Sequence, residues 1–188
     1  MPKKKSSKKI SSLESFIDAS SSSIAKKMIG FLRNQSKYIF FGFLVRDEII
    51  NSIKDKLINK SFLVTPNIYE AEILSKMKIN NLENQIESGI KLLKLGCKNV
   101  LIKGGHGNSH NINDVLITSD GDEHIFKSNK IISTNTHGTG CSLASAIATN
   151  LGLGIDIKES IKNSIEYVQN GIKNAPDFGS GNGPIRHF

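Results

Sequence analysis

Cysteine is scarce in this 188-residue chain. Cys97 and Cys141 are the only two, too few for a disulfide framework and without the paired CxxC spacing of a zinc site. A reducing, cytoplasmic setting is the expectation. Long apolar runs are missing as well. The longest near the N-terminus, YIFFGFLV at residues 38–45, falls far short of the ~20 residues a spanning helix requires, so no membrane partner is expected. Absent too are GxxxxGK[ST] and the protein-kinase signatures, which excludes both common nucleotide-binding designs. Acidic residues run short in one place only. The net charge is +8, yet residues 1–60 hold 13 Lys and Arg against 5 Asp and Glu, while residues 61–188 hold 12 of each. The body of the chain therefore lacks the basic bias that engages a phosphate backbone, and no nucleic-acid partner is expected.

Hydrophobic residues make up 38% of the chain, enough for one core and a single domain of ordinary size. Residues 1–37 are rich in Ser and Lys and poor in apolar side chains, which predicts a disordered basic leader with at most a short helix at 24–32. From residue 47 the pattern becomes regular. Ile49, Ile50, Ile53, Leu57 and Ile58 recur at helical spacing, and SFLVT (61–65) reads as a buried strand closed by Pro66. Helices are predicted from Ile68 and over 82–95, the latter ended by Gly96, followed by a strand over 99–103. DVLIT (114–118) and EHIF (123–126) flank Ser-Asp-Gly-Asp, a hairpin signal. Two more helical patterns, 139–151 and 157–173, complete an α/β layered sheet.

The sharpest local signal is Thr136-His137-Gly138-Thr139-Gly140-Cys141-Ser142, between a strand-like segment and an apolar helix. Glycines let successive backbone N–H groups converge, and the first helical turn adds unpaired donors and partial positive charge, so the string reads as an anion site. Cys141 at that helix start suits proton abstraction from an attacking hydroxyl; a tight turn with a small buried thiol is the alternative. Lys103 opens Lys-Gly-Gly-His-Gly after a buried strand, where a lysine neutralises phosphate oxygens. His106 and His137 flank glycines and read as structural rather than metal-binding. Asn67 and Glu70 stand three apart at a helix start: one reading makes them a capping box, the other gives Glu70 to Mg²⁺ through water. An acidic residue, a lysine and a glycine-rich turn, each just after a predicted strand, together point to phosphoryl transfer.

These strings carry a family resemblance. TPNIYEAEIL (65–74), LIKGGHG (101–107), DVLI (114–117), THGTGCSLASAIATNLGLG (136–154) and GSGNGPIRHF (179–188) closely resemble the hydroxymethylpyrimidine/phosphomethylpyrimidine kinases of thiamine biosynthesis, within the ribokinase-like superfamily. Most members of that superfamily carry Asp where this chain has Cys141. The resemblance implies a three-layer α/β/α sandwich over residues 46–188. It implies ATP-dependent phosphorylation of 4-amino-5-hydroxymethyl-2-methylpyrimidine and then of its monophosphate, with Mg²⁺. It gives Gly138, Thr139, Gly140 and Cys141 the anion hole, with Cys141 as catalytic base and Thr139 beside the transferred phosphoryl. Lys103 would contact the ATP phosphates, and Glu70, with Asn67 beside it, would help hold Mg²⁺. Neither residues 1–37 nor YIFFGFLV resembles the opening of such kinases, which implies an N-terminally truncated, ATP-side domain. A homodimer, a complementing N-terminal chain, a remnant that binds nucleotide without transfer, and a pyridoxal-kinase-like enzyme all stay open.

Overall fold

The computed structural model describes residues 38–41, 54, 57–105, 110–176 and 181–187. The expected leader at 1–37, its short helix, His106 and most of the helix expected from residue 47 lie outside the described residues. Five strands form one sheet in chain order: β1 (Tyr38–Phe41), β2 (Ser61–Thr65), β3 (Asn99–Ile102), β4 (Asn111–Thr118) and β5 (Glu123–Asn129). β1, β2 and β3 run parallel, while β4 and β5 are antiparallel additions. β1 lies ahead of residue 46, where the kinase-like region was expected to begin. Four aromatic and β-branched residues favour extended backbone, and β2 supplies a partner ladder, Ile39 opposite Leu63 and Phe41 opposite Thr65.

Alternation along the strands decides the layering. Leu63, Leu101 and Leu116 share one face with Phe126 and with Leu143, Ile147, Ile161 and Val168 of helices α3 (Thr139–Gly152) and α4 (Ile157–Lys173). Val64, Val100 and Ile102 point the other way, toward Ala71 and Leu92 of α1 (Ile68–Ser75) and α2 (Leu82–Leu93). Successive side chains of a strand leave opposite faces, so a run such as Val100-Leu101-Ile102, buried at every position, requires helices on both sides. The result is the three-layer α/β/α sandwich that the family resemblance implies. Cys97 is buried beneath this second layer, its thiol donating to the Leu92 carbonyl at 3.5 Å, and burial pushes its pKa up to about 11.

Helix ends follow their local chemistry. Asn81 caps α2 through the Asn84 amide, Asp156 caps α4 through the amides of Lys158 and Glu159, and Gly96 donates back to the Leu93 carbonyl at 2.9 Å. No helix among the described residues is long and apolar enough to cross a membrane.

Candidate functional site

The carboxyl ends of β2 and β3 open on one cleft of about 760 Å³, lined by Asn67, Glu70, Lys103, Asp114 and the Gly138–Cys141 turn among others. Ligands of open α/β sheets sit at this edge. All seven residues singled out in the sequence therefore meet in one place: Asn67, Glu70, Lys103, Gly138, Thr139, Gly140 and Cys141.

Two of them meet as a capping box. The Glu70 carboxylate accepts from the Asn67 amide at 2.8 Å, and the Asn67 side-chain oxygen accepts from the Glu70 amide at 2.8 Å. The arrangement starts α1 directly beyond β2. It also holds Glu70, 9% exposed, in the cleft wall. A hard carboxylate in that position fits Mg²⁺, which takes one or two carboxylates and completes its shell with waters and substrate phosphates.

Lys103 sits one residue past β3. Its amide donates to the Pro66 carbonyl at 2.9 Å, and it pairs with Asn67 as an isolated parallel bridge, so the ends of β2 and β3 remain in register. Burial pulls the Lys103 ammonium below the ordinary lysine range, and the nearby carboxylates of Glu70 and Asp114 oppose that shift. Its Nζ stands 3.5 Å from the point a Cβ on Gly140 would occupy. The cation therefore lies against the glycine-rich turn.

That turn is built to expose amides. Gly138 takes φ +83°, a left-handed value that strains any residue with a Cβ, and starts α3. Ser142 donates to the Gly138 carbonyl at 2.9 Å. Ahead of it, the Gly140 and Cys141 amides lie in the first turn, where a helix has no acceptor of its own to offer. Cys141 is exposed. A strap from the C-terminal segment steadies the approach: the His137 amide donates to the Gly183 carbonyl at 3.1 Å, Arg186 to Gly171 at 2.9 Å, and Ile185 is buried. His137 thus contributes its backbone to this strap.

Sequence reasoning gave Asp114 no role in the site, placing it at the start of a hairpin strand and within the DVLI string of the family resemblance. It is 6% exposed, lines the cleft, and accepts from the Gly104 amide at 2.7 Å. A charged residue opening an otherwise apolar strand was the available signal. Also missed was the apolar lining of the cleft, to which Ile131 and Ile132 contribute together with Ile165, Val168 and Ile172 of α4. Ile132, 92% exposed, carries no sequence mark of a site.

Gly104 permits the close approach of β3 and β4 at this edge, since a Cβ there would overlap the Asn113 carbonyl oxygen. Gly104→Ala is expected to lower stability by about 1–3 kcal/mol through this overpacking. A urea midpoint equal to that of the wild type would contradict the packing.

Among curated proteins, the chain is 42% identical over 140 residues to the thiamine biosynthesis bifunctional protein ThiED of Geobacter sulfurreducens, covering 74% of this chain and 28% of that one. It is 37% identical over 147 residues to the hydroxymethylpyrimidine/phosphomethylpyrimidine kinase of Bacillus subtilis, covering 77% and 54%. The chain thus spans about half the length of the single-function relative it matches. Among solved structures, the ADP complex of Bacillus subtilis pyridoxal kinase superposes with a TM-score of 0.71 at 28% identity, over 77% of this chain and 56% of that one. The layered sheet is therefore the ribokinase-like one that the motifs imply. The family model described as phosphomethylpyrimidine kinase matches residues 42–186, from just beyond β1 to the C-terminal strap, and the chain belongs to that family.

Proposed function

We propose that this chain carries the nucleotide side of a kinase that transfers the ATP γ-phosphoryl group to 4-amino-5-hydroxymethyl-2-methylpyrimidine and to its monophosphate. The observation that carries the reading is the convergence of Lys103, Glu70 and the Gly138–Cys141 turn on one cleft at the carboxyl edge of the sheet. Phosphoryl transfer demands little covalent chemistry from a protein. It needs positioned phosphates, charge neutralisation and a group to take the proton of the attacking hydroxyl.

Each residue then has a role. The Gly140 and Cys141 amides bind the oxygens of the transferred group, with the Thr139 hydroxyl beside them. Lys103 sets its ammonium against the phosphate chain. Cys141 takes the proton of the hydroxymethyl group as its oxygen attacks. Glu70, with Asn67 beside it, would hold Mg²⁺, which would supply charge to neutralise the phosphates. The apolar wall of Ile131, Ile132 and Ile165 suits the flat face of a nucleobase.

A coupled ADP-release assay with ATP, Mg²⁺ and either pyrimidine tests the reading. Turnover with both pyrimidines is the expected result. ATP binding without turnover would instead make the chain a nucleotide-binding subunit in need of a complementing chain. The likeness to pyridoxal kinase at 28% identity gives a second reading, and competition between pyridoxal and the hydroxymethylpyrimidine in the same assay separates the two.

A further inference from the structure

The last ladder pair between β3 and β4 joins Ile102 to Val115. Beyond it the ladder pairing ends although Gly104 still packs closely on Asn113, and the backbone groups at this fork need other partners. Two buried side chains supply them. The Gln85 amide, reaching in from α2, donates to the Ile102 carbonyl and to the Asn113 carbonyl, both at 3.0 Å. Asp114 takes the remaining strand of the fork, accepting from the Gly104 amide at 2.7 Å. The chain is thus held on both sides of Lys103, the residue whose ammonium lies against Gly140. Asp114 and Lys103 both line the cleft, together with the Gly138–Cys141 turn.

We propose that Asp114 is a positioning residue for phosphate recognition: by holding the Gly104 amide it fixes the point where Lys103 leaves β3 and so aims the Lys103 ammonium over the Gly138–Cys141 turn. The assignment rests on the nucleotide-binding reading above. A positioning residue that works through Lys103 affects the ligand's phosphates and leaves its nucleoside alone. A residue that merely supports the fold weakens every ligand of the cleft together. Asparagine at this position keeps an oxygen that can accept from Gly104, whereas alanine removes it.

The full chain is titrated calorimetrically at pH 7 with ATP, ADP and AMP, beside Asp114→Ala and Asp114→Asn. The alanine variant is expected to bind ATP and ADP about tenfold more weakly, the scale of one hydrogen bond to a charged group, with AMP within about twofold of the wild type. The asparagine variant is expected to restore ATP binding to within about threefold. Asp114→Ser, which leaves a polar group for water but cannot span the gap to Gly104, takes the place of the alanine variant if that one does not fold. ATP affinity unchanged in the alanine or serine variant overturns the proposal. So does an equal loss for ATP and AMP, or an asparagine variant as impaired as alanine. A wild-type chain that binds no ATP overturns the kinase reading itself, an outcome distinct from these three.

Discussion

Replacing Cys141 with alanine is expected to cut turnover about 10²–10⁴-fold, the range over which a positioned general base contributes, while leaving ATP affinity unchanged. The expectation follows from position. Cys141 is the third residue of α3, exposed and lining the cleft; in the proposed mechanism its amide, which every substitution except proline retains, binds the phosphoryl group and its side chain serves the acceptor hydroxyl. Removing the side chain therefore removes the base and spares the anion hole. Cys141→Ser should be nearly as slow, because a hydroxyl is a far weaker base than a thiolate at neutral pH. Cys141→Asp should recover part of the rate, since a carboxylate can accept a proton from the same place. Steady-state rates of ADP release at saturating ATP read all three. Turnover of the alanine variant within threefold of the wild type would remove Cys141 from the mechanism and leave the anion hole as the source of catalysis.

How much of this architecture the sequence made legible depended on periodicity. Apolar runs such as Phe62-Leu63-Val64 and Val100-Leu101-Ile102 announce strands covered on both faces, and the long apolar stripes of α3 and α4 announce their covering helices. The bounds of α3 and α4 fall within a residue of those expected. β1 was harder to read, because a four-residue strand has no room for a period and Tyr-Ile-Phe-Phe is equally a piece of buried helix. Only its parallel partner β2 decides the matter.

The site divides along the same line. Glycine-rich turns and a lysine just after a strand are local signals, and local chemistry made Lys103 and Gly138–Cys141 visible. Gln85 and Asp114 act across 28 and 10 residues of sequence separation, on Asn113 and Gly104. Nothing in a one-dimensional pattern marks an amide inside a helix as a bridge between two strand ends. The Asn67 and Glu70 pair carried two readings because one carboxylate can cap a helix and face a cleft together.

The cost of the fork should appear in the pH dependence of stability. Burial pushes the Asp114 carboxyl up to about 6, against the opposing pull of the Gly104 amide and the Lys103 charge. The folded protein therefore holds this proton more tightly than the unfolded chain does. As pH rises from about 4 to about 6 the unfolded chain gives the proton up first, so stability from this group falls through that window, reaching a loss on the order of 3 kcal/mol above it. Asp114→Asn removes the titration. The stability difference between variant and wild type, from urea unfolding at a series of pH values, should be near zero at pH 4 and grow to about 3 kcal/mol in favour of the variant at pH 7. A constant difference across that range would mean that Asp114 ionises as an ordinary exposed carboxylate. The expected outcome gives the two sides of one trade: a stabler variant whose phosphate recognition depends on a neutral oxygen where the wild type holds Gly104 with a charged one.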